Sequence, residues 1–287
     1  MRCPYPMLIK NKHRYVIEVP CGRCVACRLN RAREWSQRIM NELAYHKDAC
    51  FLTLTYDDEH LPEDNSLSKR DFQLFMKRFR KDFGLPVRFF ACGEYGKKTF
   101  RPHYHVIFFG VSPTSELFLF TGKSKSGFWC DLSSWDKGHC FVGDVTFDSA
   151  CYVAKYCAKE LCENNGKVPL NNDFYSQKGV EPPFLLMSRR PGIGAKYVRD
   201  HKNRLQARKY VIGKGGVKCP LPRFYQDKIG LTGSDKELSY FARSDDERKN
   251  SLKVGKSWSS YHKEFLEDAL NRVNVFLRNL RSKENEI

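Results

Sequence analysis

The clearest pattern along the chain lies between Ser68 and Phe83. Phe72, Phe75, Met76, Phe79 and Phe83 recur at helical spacing and form one apolar stripe, which is core rather than a ligand box. Ser68 can cap this helix, with Asp71 three residues on, and Gly84 and Pro86 stop it. A second helix is predicted from Arg28 to His46, where Trp35, Ile39 and Leu43 fall four apart. Phe51 to Tyr56 alternates and is rich in β-branched and aromatic residues, so it reads as a strand. Val87–Glu94 and His103–Phe109 are two further strand-like runs, joined by the loop Gly96–Pro102 as a hairpin. Residues 111–138 are Ser/Gly-rich and irregular, as expected of an insertion, and His139 to Phe147 is another candidate strand. Asp148 or Ser149 can cap a helix running through Tyr152, Tyr156 and Leu161. Near the end Leu266, Leu270, Val273, Leu277 and Leu280 make a short amphipathic helix expected to pack on its own domain.

The order strand, helix, strand, strand, strand, helix suits an α+β fold. Its sheet is mostly antiparallel with helices on one face, a ferredoxin-like layout. The expected organisation is a Cys-rich basic head over 1–50, the sheet-bearing core over 51–165, and a basic C-terminal region over 166–287. No run approaches the roughly 18 apolar residues of a membrane helix. The first residues hold no signal-peptide core, so secretion is not expected.

Fifty basic against 33 acidic side chains leave a formal charge of +17, which calls for an anionic partner, most often nucleic acid. The excess is concentrated. Residues 1–50 carry a net +6 and residues 185–230 a net +10. The second stretch includes Ser188-Arg-Arg-Pro-Gly-Ile-Gly194, so Arg189, Arg190 and Lys196 are candidate DNA contacts.

Three constellations can carry chemistry. In Arg101-Pro-His-Tyr-His-Val106, residues two apart on a strand share a face, so His103 and His105 project together. Imidazoles suit a transition metal and a carboxylate would complete the set. Glu94 is the best candidate, on the preceding hairpin strand with Gly93 and Gly96 giving it room; a different third ligand remains an alternative. In Tyr152-Val-Ala-Lys155-Tyr156-Cys-Ala-Lys159 the two tyrosines share one helix face and the lysines an adjacent row. A nearby lysine favours phenolate and a nucleophilic tyrosine. In isolation, such a pair reads as two core tyrosines beside solvated lysines. Finally, Cys21-Gly-Arg-Cys24-Val-Ala-Cys27 with Cys3 upstream can form a closed tetrahedral Zn2+ site, with Cys50 an alternative to Cys3. Twelve cysteines without a secretory context read as thiols or ligands, not as a disulfide framework.

Taken together, RPHYHVIFFG resembles the metal-binding motif of HUH (His-hydrophobe-His) rolling-circle replication endonucleases. FLTLTYDD resembles their first motif strand, and YVAKYCAK their tyrosine motif in its two-tyrosine form. CGRCVACR and SRRPGIG are similar to stretches in the replication initiators of microviruses of the gokushovirus branch. The motifs span about 51–160 in the family's order, which marks that core as an HUH nuclease domain. The resemblance implies Mg2+ or Mn2+ on His103, His105 and a third ligand. It also implies attack by Tyr152 to leave a 5′-phosphotyrosine link, then use of Tyr156 to close the circle, with Lys155 neutralising phosphate or aiding the phenol. The first motif is expected to act as sheet framework only. The implied partners are single-stranded or melted origin DNA and the host helicase and polymerase, in a bacterial cytoplasm. No P-loop is present, and none is needed when the ester keeps the energy of the broken bond.

Two other readings compete. A non-catalytic zinc-containing DNA-binding protein explains the charge and cysteines but not HxH followed by YxxKY. A plasmid initiator or transposase keeps the chemistry; a relaxase is disfavoured because its tyrosine usually precedes the histidines.

Overall fold

The structure, a computed structural model, describes residues 2–10, 14, 16–84, 86–96, 98–155, 173–231 and 247–285. The chain divides into two compact units, one holding Met1–Arg31 and Lys202–Ile287, the other Ala32–Cys157 and Pro169–His201. No described helix is long and apolar enough to cross a membrane.

The chain opens with a hairpin, β1 (Met7–Lys10) and β2 (Val16–Val19), which the residue pattern did not announce. Helix α1 (Val25–Leu43) starts before the expected Arg28, because the Cys24 carbonyl already accepts the Arg28 N–H at 3.0 Å. Then come β3 (Ala49–Tyr56), α2 (Lys69–Phe83), β4 (Arg88–Tyr95), β5 (Pro102–Phe109), β6 (Leu119–Ser124), β7 (Gly127–Asp131), β8 (Gly138–Asp144) and α3 (Phe147–Lys155). The short α4 (Asp173–Gln177), β9 (Phe184–Met187) and α5 (Ala195–Asp200) complete this unit. Seven strands form one antiparallel sheet in the order β6-β7-β8-β3-β5-β4-β9. The expected antiparallel α+β architecture holds.

Helix α2 follows its prediction closely. The Ser68 hydroxyl accepts the Asp71 N–H at 3.0 Å, and Gly84 ends the helix in the left-handed region at φ 72°. Its Phe72, Phe75, Met76 and Phe79 pack on the sheet face formed by Cys50, Leu52, Leu54, Tyr104, Val106 and Phe108. Helices do not sit on one face only. Ile39 of α1 and Ala150 and Val153 of α3 pack on the opposite face, against Phe90, Cys92, Ile107 and Phe109. The reason is that β4 and β5 are apolar on both faces and need cover on both.

Three local expectations change. Residues 111–138 are not wholly irregular, because β6 and β7 form a hairpin that extends the sheet beyond β8. The last strand of the core ends at Asp144, and Thr146 rather than Asp148 or Ser149 caps α3. Thr146 Oγ1 accepts the Ser149 N–H at 3.0 Å, and Ser149 Oγ accepts the Thr146 N–H at 2.8 Å. Strand β9 escaped notice because Phe184-Leu-Leu-Met187 does not alternate.

In the other unit, α6 (Lys202–Arg208), the hairpin β10 (Tyr210–Ile212) and β11 (Lys218–Pro220), α7 (Arg223–Lys228) and α8 (Trp258–Asn285) follow. On α8, Ala269 and Val273 are buried, and Leu266 and Leu270 are half-buried. The side chains of Leu277 and Leu280 lie outside the described residues.

Phe79 is fully buried and stacks on Phe108 with ring centroids 4.5 Å apart. Phe79→Ala is expected to lower unfolding stability by about 3–5 kcal/mol in urea titration. Exposed Lys77→Ala on the same helix should change it by less than about 0.5 kcal/mol.

Candidate active site

Register builds the site. On β5, His105 stands opposite Thr53 of β3 and Cys92 of β4, while His103 stands opposite Thr55 and Glu94. All these side chains share one sheet face. The structure therefore brings together the three residues expected to hold a metal. Glu94 Oε1 lies 2.7 Å from His103 Nε2 and 3.0 Å from His105 Nε2. Glu94 and His105 are buried and His103 nearly so. Gly93 serves a different need from the one expected. A Cβ there would stand 3.0 Å from the Phe184 ring, so the glycine admits β9 rather than making room for Glu94.

The donor set fits a cation. His103 Nδ1 lies 3.1 Å from the Arg101 carbonyl, which can only accept, so Nδ1 carries the proton. In a neutral ring Nε2 is then a lone pair facing the Glu94 oxygen. That meeting of two acceptors is resolved by a second proton or by a metal ion. Burial alone would raise the Glu94 carboxyl, but hydrogen bonds and charge from both imidazoles outweigh it and leave it at about 2. The carboxylate is thus ionised and ready to ligate. Glu94, His103 and His105 can hold a metal ion.

Helix α3 delivers Tyr152. Buried Ala150, Val153 and Ala154 fix the helix on the sheet, and the Tyr152 ring lies edge-on to His105, centroids 5.3 Å apart. The tyrosine is 45% exposed, so a substrate can reach it. Its phenol is held above the usual tyrosine range, by partial burial first and by the Glu94 carboxylate second. The side chain of Lys155, and Tyr156 altogether, lie outside the described residues.

Comparison with known proteins agrees with this arrangement. The family model for replication-associated proteins of the ORF2 type matches residues 49–161. The replication-associated protein VP4 of Bdellovibrio phage phiMH2K is 36% identical over 237 residues, 78% of this chain and 71% of that protein. Replication-associated protein ORF2 of Spiroplasma virus 4 is 33% identical over 229 residues, 74% of this chain and 67% of that one. The chain belongs to the replication-associated protein family of these phages. Replication-associated protein ORF4 of Chlamydia phage 1 is 32% identical over a shorter stretch, 50% of this chain and 38% of that protein. No solved structure matches.

This replication-associated protein carries a second ligand set. The sulfurs of Cys3, Cys21, Cys24 and Cys27 all lie within 4.8 Å of one another and can hold a metal ion. Cys3 completes the set; Cys50, its expected alternative, is buried in the apolar core under α2. Backbone N–H groups of Cys21 and Cys24 donate to the sulfurs of Cys3 and Cys21 at 3.4 and 3.3 Å. A hydrogen bond from Cys27 pulls the Cys24 thiol down to about 5, while burial pushes Cys3 up to about 11. Thiols that share protons in this way give them up readily to a cation.

The basic turn Ser188–Gly194 is fixed by polar contacts. The Glu42 carboxylate accepts the Gly194 N–H at 2.6 Å and Arg88 Nε at 2.6 Å. Arg88 also donates to the Pro191 carbonyl at 2.9 Å and Arg38 to that of Ile193 at 3.0 Å. Arg189 and Arg190 are exposed on this anchored turn, and Lys196 is on the helix after it.

One residue of the site was missed at the level of sequence. Thr53 Oγ1 lies 2.9 Å from His105 Nδ1 and fixes the ring that Phe51 stacks against, centroids 5.4 Å apart. Period-two alternation across β3 could have flagged it, since Thr53 and Thr55 face away from the α2 core. Thr53→Val is expected to weaken Mn2+ binding by about 10- to 100-fold in calorimetric titration, with Thr53→Ser close to the unaltered protein. Equal affinity in all three would remove Thr53 from the site.

Proposed function

We propose that this protein starts rolling-circle replication by nicking its origin through tyrosine transesterification. The observation that carries the reading is the approach of the Tyr152 ring to His105, beside the Glu94 carboxylate that the two imidazoles share. The Tyr152 oxygen forms a bond to phosphorus as the bond to the 3′ oxygen breaks. The proton lost by the phenol is balanced by the one gained at the released 3′-OH, and the 5′ end stays on the tyrosine. A Mg2+ or Mn2+ ion on Glu94, His103 and His105 would supply Lewis-acid polarisation of the scissile phosphate and offset the Glu94 charge.

The chain's own groups position the strand. Thr53 and the Arg101 carbonyl orient the imidazoles. Tyr156, one helical turn beyond Tyr152, is the second nucleophile that rejoins the circle. Lys155 neutralises phosphate or aids loss of the phenolic proton. Arg189, Arg190 and Lys196 contact the backbone of single-stranded or melted origin DNA, which makes binding salt-sensitive. Host helicase and polymerase extend the free 3′-OH in the bacterial cytoplasm. Zn2+ on Cys3, Cys21, Cys24 and Cys27 locks the N-terminal segment.

The test is a denaturing gel of protein incubated with single-stranded oligonucleotides tiled across the origin region, with Mn2+ or EDTA. A metal-dependent shifted band is expected that persists in the single Tyr152→Phe and Tyr156→Phe variants at reduced level and disappears in the double variant and in His103→Ala. Tight, salt-sensitive binding with no adduct on any oligonucleotide would point instead to a non-catalytic DNA-binding protein.

Metal analysis tests the cysteine site. Purified protein is expected to carry one equivalent of zinc that Cys24→Ser and Cys27→Ser release, lowering thermal stability. Zinc-free protein of unchanged melting temperature would exclude that role.

A further inference from the structure

The sheet face that carries the triad does not stop at β3. Phe141 of β8 stands opposite Thr53, and Trp129 of β7 stands opposite Phe141. Trp129, Phe141, Thr53 and His105 therefore lie in one row across four adjacent strands, side chains on one face. At about 4.8 Å per strand, the row places Trp129 roughly 14 Å from His105 along the sheet.

This half of the face has no cover among the described residues. Helices α1 and α3 close it over β4 and β5, but neither Trp129 nor Phe141 belongs to any buried cluster of the unit. Trp129 is 49% exposed and leans edge-on against Phe141, centroids 5.3 Å apart. The register sets side-chain-free Gly122 beside Trp129 and Gly143 beside Phe51, while Gly127 and Phe141 flank the ring along and across the strands. One open aromatic ring is thus held on a rigid strand and bounded by backbone. Between it and the triad run Thr53, Thr55 and exposed His139, with Asp131 at the far edge.

We propose that Trp129, backed by Phe141, is the stacking platform for an unpaired base of the strand whose phosphate reaches the triad. The inference rests on the nicking reading above and names where the strand continues from it. The chemistry favours a nucleic-acid strand over a protein partner. A protein surface would need a contiguous apolar patch, whereas this half of the face is polar except for two rings. A base needs only a π-face, and a flat neighbourhood lets it lie down. The net charge of +17 supplies the attraction for the phosphates.

The test is fluorescence anisotropy with a labelled thymidine oligonucleotide of about twenty nucleotides, in EDTA so that no cleavage chemistry enters. Trp129→Ala is expected to weaken binding about 5- to 100-fold, and Trp129→Phe to keep most of the affinity. An oligonucleotide with abasic sites in place of the thymidines then separates stacking from folding. Its penalty relative to the thymidine strand should shrink in Trp129→Ala by the same factor that the substitution itself costs. Unchanged affinity in Trp129→Ala overturns the proposal. So does an abasic penalty undiminished by the substitution, because the ring then acts only through the fold. Since the measurement needs no adduct, loss of the nicking reading and loss of this platform give different results.

Discussion

Glu94 faces His103 because β4 and β5 run in one register from Arg88↔Phe109 to Tyr95↔Pro102. A slip of one residue would turn every side chain of β4 to the opposite face and move the carboxylate away from both imidazoles. What forbids the slip is burial on both sides. Phe90, Cys92, Ile107 and Phe109 fill the core under α1 and α3, while Phe89, Ala91, Val106 and Phe108 fill the one under α2. A slipped strand would ruin two cores at once. The ligand geometry at the open end of the hairpin is thus set by apolar packing along the rest of it.

The same carboxylate has two opposed effects. Glu94 is nearly buried, and a carboxylate in that position is stable only when hydrogen-bonded and paired. His103 and His105 meet that need and keep it ionised. Its negative charge, however, holds the Tyr152 phenol protonated across the helix–sheet interface. A site of this composition favours its nucleophile only when positive charge is brought to the carboxylate. The lone-pair conflict between His103 Nε2 and Glu94 asks for the same remedy. Two independent features, one of charge and one of hydrogen-bond direction, therefore select a cation at one point.

How much of this was legible in the sequence depends on the range of the interaction. His103 and His105 follow from period two within one strand, and Glu94 follows from a single hairpin, so both could be read from adjacent residues. The stripe and caps of α2 are local for the same reason. Thr53 could not be assigned, because its partner lies 52 residues away and only the β3–β5 register joins them. The β6–β7 hairpin was hidden by serine and glycine in its strands, whose pairing is supplied by β8 rather than by local propensity. Strand β9 reads as a bare apolar run, and its place beside β4 depends on the absence of a side chain at Gly93. The cysteine set was legible as CxxCxxC, but the choice of Cys3 over Cys50 needed the fold.

The uncovered half of the sheet also has a physical origin. A helix about 10 Å wide covers roughly two strands spaced about 4.8 Å apart, so α1 and α3 together cannot close a seven-stranded face. An apolar sheet face left in water would invite aggregation. The chain avoids this with Thr53, Thr55, His139, Gly122, Gly127 and Gly143 on the bare strands, which need no cover. Stability of the fold therefore accounts for the polar and glycine positions there. It does not account for an exposed tryptophan among them, since a threonine in place of Trp129 would suit a half-buried strand as well and expose less apolar area. A residue that folding does not require, aligned strand by strand with the triad, is where function rather than packing has set the side chain.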